Sequence, residues 1–107
     1  PRSTLAYTLL PYTTLFRSGS EYMAKVLKLL SDRSKLEILS YIKNKKAYGS
    51  ELAKQLNLTN ATVSHHMSGL VNAGLVIMEK EDTKIYYRTN IEEISEVLNS
   101  CLKYLTE

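Results

Sequence analysis

The sequence has 107 residues, enough for one small domain, and a composition of 44% apolar and 23% charged residues argues against a disordered chain. Its formal charge of +3 overstates the case for a polyanionic partner: Arg2 and Arg17 precede any acidic residue, and beyond position 18 twelve basic residues face eleven acidic ones, a net of +1. No apolar run reaches the roughly 20 residues of a membrane span, and the single cysteine, Cys101, excludes an intrachain disulfide and fits a reducing cytoplasm.

Residues 1–18 hold no helical or strand period, and both prolines, Pro1 and Pro11, lie there. The run from Leu10 to Ser18 is similar to translated adapter or vector sequence, so residues 1–18 are expected to be an unstructured leader outside the functional domain, which is placed at residues 19–107. A leader lacking a basic start followed by an apolar core does not read as a signal peptide.

From Glu21 the apolar positions Met23, Val26, Leu27 and Leu30 recur at helical steps. Ser31-Asp32 offers N-caps for a second helix carrying Leu36, Leu39 and Ile42, widened by Ile38 and Tyr41, which ends at Asn44-Lys45-Lys46. A third helix is expected near Ser50, with Ser50 as its N-cap and Leu52, Ala53 and Leu56 on its apolar face. After the short turn Asn57-Leu58-Thr59, Thr59 caps a fourth helix over residues 60–73, stopped by Gly74 as a residue able to take a positive φ. Two short helices joined by a turn of three or four residues form the helix-turn-helix pattern. Leu75 to Met78 and Lys84 to Arg88 are rich in strand formers and flank the polar stretch Glu79 to Thr83, which predicts a two-stranded hairpin. A last helix runs from about Ile91 to Leu105, with Ile91, Ile94, Leu98, Cys101 and Leu105 on its stripe. Val97 and Leu102 broaden that stripe beyond what a monomer's core requires. The expectation is a mainly α winged helix-turn-helix of about five helices with a two-stranded antiparallel wing.

Plotted at about 100° per residue, the fourth helix divides in two. Val63, Met67, Leu70 and Gly74 face the core, while Ala61, His65, Ser68 and Asn72 face away. Asn60, Thr62 and Ser64 occupy the first turn, the part that usually enters a major groove. Asn60 can pair bidentately with adenine, the hydroxyls of Thr59, Thr62, Ser64 and Ser68 can serve bases or phosphates, and His65 can donate to guanine N7. No charged residue lies between Lys54 and Glu79, so phosphate neutralisation must come from flanking cations, with Lys54, Lys84 and Arg88 as candidates. Each such cation, taken alone, also reads as an ordinary solvated charge. His66 reads as a partly buried structural histidine. Adjacent histidines diverge by about 100° on a helix, so His65 and His66 do not make the i, i+4 pair of a helical metal site. At an apolar helical position Cys101 reads as a small buried hydrophobe. No catalytic constellation appears, and no metal or cofactor is expected.

These residues resemble the ArsR-type family of bacterial winged-helix repressors. The likeness runs from about Leu30 to Arg88. Leu30-Ser31-Asp32-Arg33-Ser34-Lys35-Leu36-Glu37-Ile38-Leu39 is similar to the family's Leu-Ala-Asp-Pro-Thr-Arg-Leu-Arg-Ile-Leu, with Arg33 in place of Pro and Lys35 in place of Arg. Thr62-Val63-Ser64-His65-His66-Met67, Leu70, Ala73-Gly74-Leu75-Val76 and Tyr86-Tyr87-Arg88 continue it in order. The resemblance implies a homodimer bound to double-stranded DNA at a palindromic operator, repression relieved by an effector, and an interface between the first and last helices. On this chain those helices supply Met23, Leu27, Leu30, Ile94, Leu98, Cys101 and Leu105. The family's thiolate motif is missing, because Tyr48 to Ala53 contains no cysteine, and the last helix has no histidine and one cysteine. The domain is also similar to those at the C-terminus of longer family members. The rival expectation is a winged-helix module that binds protein rather than DNA.

Overall fold

The computed structural model describes residues 19–107; the leader expected at residues 1–18 lies outside them. The elements are α1 (Gly19–Leu30), α2 (Arg33–Tyr41), β1 (Ala47–Tyr48), α3 (Gly49–Leu56), α4 (Asn60–Asn72), β2 (Val76–Glu81), β3 (Lys84–Thr89) and α5 (Ile91–Thr106). Among the described residues this is a mainly helical winged helix-turn-helix with five helices.

The sheet departs from expectation by one strand. Its order is β1-β3-β2, all antiparallel, with Ala47 opposite Tyr87, Tyr48 opposite Tyr86, and β2 and β3 paired from Val76–Thr89 to Glu81–Lys84. The two-residue turn between β2 and β3 is made by Asp82, at φ 58, and Thr83; Asp tolerates that left-handed region better than most residues. Pairing of Tyr48 with Tyr86 also explains why Ser50 is not the cap of α3. It holds Tyr48 extended (φ −96, ψ 166), so the helix begins at Gly49 with Tyr48 in the N-cap position and no side-chain cap bond.

The other caps follow the sequence. Asp32 accepts from the Ser34 and Lys35 amides, and Thr59 from the Thr62 amide. Asn57 takes a left-handed φ of 57 so that the Leu58 N–H can donate back to Ala53 O at 2.8 Å, which turns the chain from α3 into α4. Gly74, at φ 82, ends α4 in a Schellman arrangement: the Leu75 N–H donates to Leu70 O and the Gly74 N–H to Val71 O.

The core gathers Val26, Ile38, Ile42, Leu52, Val63, Met67, Leu70, Leu75 and Val76, all essentially inaccessible. Burying such a side chain contributes about 1.5–3 kcal/mol. Three positions differ from the expected stripes. Leu36 is half exposed, Tyr22 is buried in α1, and Val97 lies inside the core rather than on a surplus surface. Thr89 is a buried polar residue with both groups satisfied. Its Oγ1 donates to Leu39 O at 2.7 Å and its amide to Ile42 O at 3.1 Å, pairing carbonyls that the end of α2 leaves free.

Candidate nucleic-acid interface

The candidate reading surface is built by the inward anchoring of α4. Val63, Met67 and Leu70 are each 1% exposed or less, which fixes the roll of the helix about its axis. Asn60, Ala61, Ser64, His65 and Ser68 consequently stand in solvent, and Thr62 is partly covered. Among the described residues no hydrogen bond engages the side chain of Asn60, Ser64, His65 or Ser68, so their donors and acceptors are available to a ligand. Thr59 has a different task. Its Oγ1 accepts from the Thr62 amide at 3.0 Å and donates to Thr62 Oγ1 at 2.8 Å, which leaves the Thr62 hydroxyl proton as the one still to be donated.

His66 turns toward α2. Its Nδ1 accepts from Lys35 Nζ at 3.1 Å, and Lys35 Nζ also donates to Asp32 Oδ2 at 3.3 Å. Burial of the imidazole, together with the Lys35 charge, holds its pKa below the ordinary histidine value against the opposing pull of Asp32. A neutral ring is what an acceptor at Nδ1 requires. The carboxyl of Asp32 is itself held below its ordinary range: burial acts to raise it, but the hydrogen bonds and charge from Lys35 and the Ser34 amide outweigh that. The histidine pair is thus split between an outward His65 and a structural His66, with ring centroids 6.1 Å apart.

The three candidate phosphate-binding cations fare differently. Lys54 is exposed at the end of α3, with no ion pair among the described residues. Lys84 lies over the ring of Tyr48 at 4.1 Å, a contact that leaves its charge unneutralised. Arg88 is engaged: its Nη2 is 3.2 Å from Glu79 Oε2. Glu79 also takes Lys46 Nζ at 3.4 Å, and Lys46 pairs with Glu81 as well. Glu79 stays below the ordinary glutamate value because hydrogen bonds and charge from Arg88, then Lys46, outweigh its burial. Sequence reading missed Glu79 because its position opposite Tyr86 depends on the register of the hairpin. Tyr48 and Tyr86, edge to face at 5.6 Å, brace the same side of the wing.

The seven residues assigned to the α1 and α5 surface separate into two groups. Leu27, Leu98 and Leu105 are exposed, at 45%, 39% and 76%, whereas Cys101 is 7% exposed. Met23, Leu30 and Ile94 are partly buried against the core. An apolar groove between the two helices is lined by Met23, Ala24, Leu27, Cys101, Tyr104 and Leu105, with Ser20 at its edge. Leu102 is 61% exposed and Tyr104 66%. Tyr104 was missed although it lies one three-residue step beyond Cys101, because the stripe was continued through its neighbour Leu105 instead. No helix among the described residues is long and apolar enough to cross a membrane, and no group of three or more His, Cys, Asp or Glu side chains gathers there.

The pattern of the family described as "Bacterial regulatory protein, arsR family" matches residues 32–77, from the cap of α2 into β2. An arsenical resistance operon repressor of Staphylococcus aureus is 31% identical over 78 residues, covering 73% of this chain and 75% of the relative. The chain belongs to the arsR family of bacterial regulatory proteins. Solved structures extend the likeness past the matched segment. An ArsR-like transcriptional regulator from a Rhodococcus species superposes with a TM-score of 0.74 at 26% identity, covering 79% of this chain and 80% of that one. A homodimeric winged helix-turn-helix DNA-binding domain from Mycobacterium bovis gives a TM-score of 0.66 at 25% identity, covering 79% and 78%. This arsR-family chain is therefore a DNA-binding transcriptional regulator, and its matched segment contains the whole helix-turn-helix from α3 to the end of α4.

Proposed function

We propose that residues 19–107 act in the cytoplasm as a homodimeric repressor, without enzymatic activity, that reads a palindromic operator with α4. The observation that carries this is the division of α4: Val63, Met67 and Leu70 are buried, while Asn60, Ser64, His65 and Ser68 are exposed with their hydrogen-bonding groups unused. Such a face offers base-edge partners to a major groove without apolar obstruction. Thr62 contributes its remaining hydroxyl proton, and Thr59 sets the helix start rather than reading bases. Lys54 and Lys84 supply phosphate contacts, and Arg88 does so only in competition with Glu79. The dimer forms through the apolar groove of α1 and α5, where Leu27, Tyr104 and Leu105 are exposed on one protomer, together with the exposed Leu98 and Leu102 of α5. The homodimeric Mycobacterium bovis domain supports a dimer by analogy.

The test is a selection of duplexes from a random library, followed by gel shifts with Asn60→Ala/His65→Ala. The wild type should enrich a two-fold symmetric site, and the variant should keep its fold but lose about 1–3 kcal/mol of discrimination for each bidentate contact removed. An unchanged site preference in the variant would falsify the assignment of α4.

A further inference from the structure

Helix α1 has three faces, of which two are already accounted for: Tyr22, Val26 and Leu29 pack inward, and Ser20, Met23, Ala24 and Leu27 line the apolar groove against α5. The third face presents Lys25 and Lys28, one turn apart and both exposed. Among the described residues no ion pair or side-chain hydrogen bond engages either ammonium. They border an open groove of about 430 Å³, completed by Leu29, Ser31, Asp32 and Lys35. The single carboxylate in that groove is occupied, since Asp32 Oδ1 accepts from the Ser34 amide at 2.9 Å and Oδ2 from Lys35 Nζ at 3.3 Å. Glu21 shares the third face but does not line the groove.

The groove abuts the flank of α4. A Cβ placed on Gly69 would lie 3.4 Å from Leu29 Cδ2 and 3.8 Å from Lys35 Cε, and Lys35 Nζ reaches His66. A major groove about 12 Å wide is filled by an α-helix about 10–12 Å across, so a helix seated there has a phosphate strand along each flank. Helix α4 carries no charge of its own, and Lys46 and Arg88 are held by the wing's carboxylates. Among the described residues Lys54 and Lys84 stay unpaired on the α3 and wing sides, and Lys25 and Lys28 add two unpaired cations at this groove.

We propose that Lys25 and Lys28 form a second backbone-binding site, which takes the phosphates of the DNA strand running along the Gly69 flank of α4. The site rests on the DNA reading given above and adds a contact surface on α1, outside the helix-turn-helix and the wing.

The experiment measures binding of the selected duplex by fluorescence anisotropy between 50 and 300 mM salt (order-of-magnitude range in which phosphate contacts dominate). Wild type, Lys25→Gln/Lys28→Gln and Lys25→Arg/Lys28→Arg are compared. Neutralising two phosphate contacts should make the slope of log K against log salt shallower by about 1.8 per protomer, with site preference unchanged and the Arg pair like wild type. A Gln pair with the wild-type slope overturns the proposal while leaving the DNA reading intact. Loss of site preference in the Gln pair also overturns it, by assigning the lysines to the placement of α4. A wild type that binds no duplex at any salt overturns the DNA reading and this site with it.

Discussion

Arg88 Nη2 lies 3.2 Å from Glu79 Oε2, across the β2–β3 ladder, and the same carboxylate holds Lys46 at 3.4 Å on its other oxygen. The wing therefore meets any polyanion with part of its charge already spent. Glu79→Gln keeps the shape of the side chain and releases Arg88, while Lys46 retains Glu81. Duplex binding should tighten, and the salt slope should steepen by about 0.9 per protomer. Anisotropy titrations at several salt concentrations measure both; an unchanged slope would show that Arg88 faces no phosphate.

A second prediction concerns acid. The His66 pKa is lowered in the folded chain by burial and then by Lys35, so the folded state binds fewer protons there than the unfolded state. Its contribution to stability is complete above the ordinary histidine range, near pH 6.5, and fades as the pH falls below it. The melting temperature should drop between pH 7.5 and pH 5.5 (a window about one unit either side of that value). His66→Gln offers Lys35 an acceptor that does not titrate, and its melting temperature should be flatter over the window. Asp32, also lowered, titrates at more acid pH and does not confuse the reading. Equal slopes in variant and wild type would remove His66 from the account.

The apolar groove gives a third test. Leu27 is 45% exposed and lines the groove, so Leu27→Glu costs the isolated protomer little while setting like charges against an apolar partner surface. Sedimentation velocity should show a monomer that has lost at least tenfold in operator affinity, about 1.4 kcal/mol. A variant that still sediments as a dimer would place the interface elsewhere.

Much of this molecule was legible in its sequence because the helices are amphipathic and their ends are chemically marked. Asp32, Thr59 and Gly74 act as read, and the burial of Val63, Met67 and Leu70 follows from their spacing. What escaped depends on partners distant in sequence. Ala47 and Tyr48 have no strand pattern of their own and become β1 only because Tyr86 and Tyr87 pair with them. Ser50 loses its capping role for the same reason. Leu36 and Val97 exchange their expected environments because helical periodicity gives a stripe but not how far a neighbouring element covers it. The engagement of Arg88 by Glu79 needed the hairpin register, which no local signal supplies.

The hydroxyl of Tyr22 lies between Ala73 O, at 3.0 Å, and the carboxylate of Glu93. It joins one helix of the proposed interface to the C-cap of α4 and the first turn of α5, beside the Asn90 side chain, which donates to Gly74 O at 3.0 Å. In the dimer proposed above this junction would act as a gauge, because an interface through α1 and α5 would set the distance between the two α4 helices. An operator whose half-sites are moved apart by one base pair would then have to be met by tilting the whole protomer, not by bending a loop. Spacing should accordingly be discriminated as sharply as base sequence.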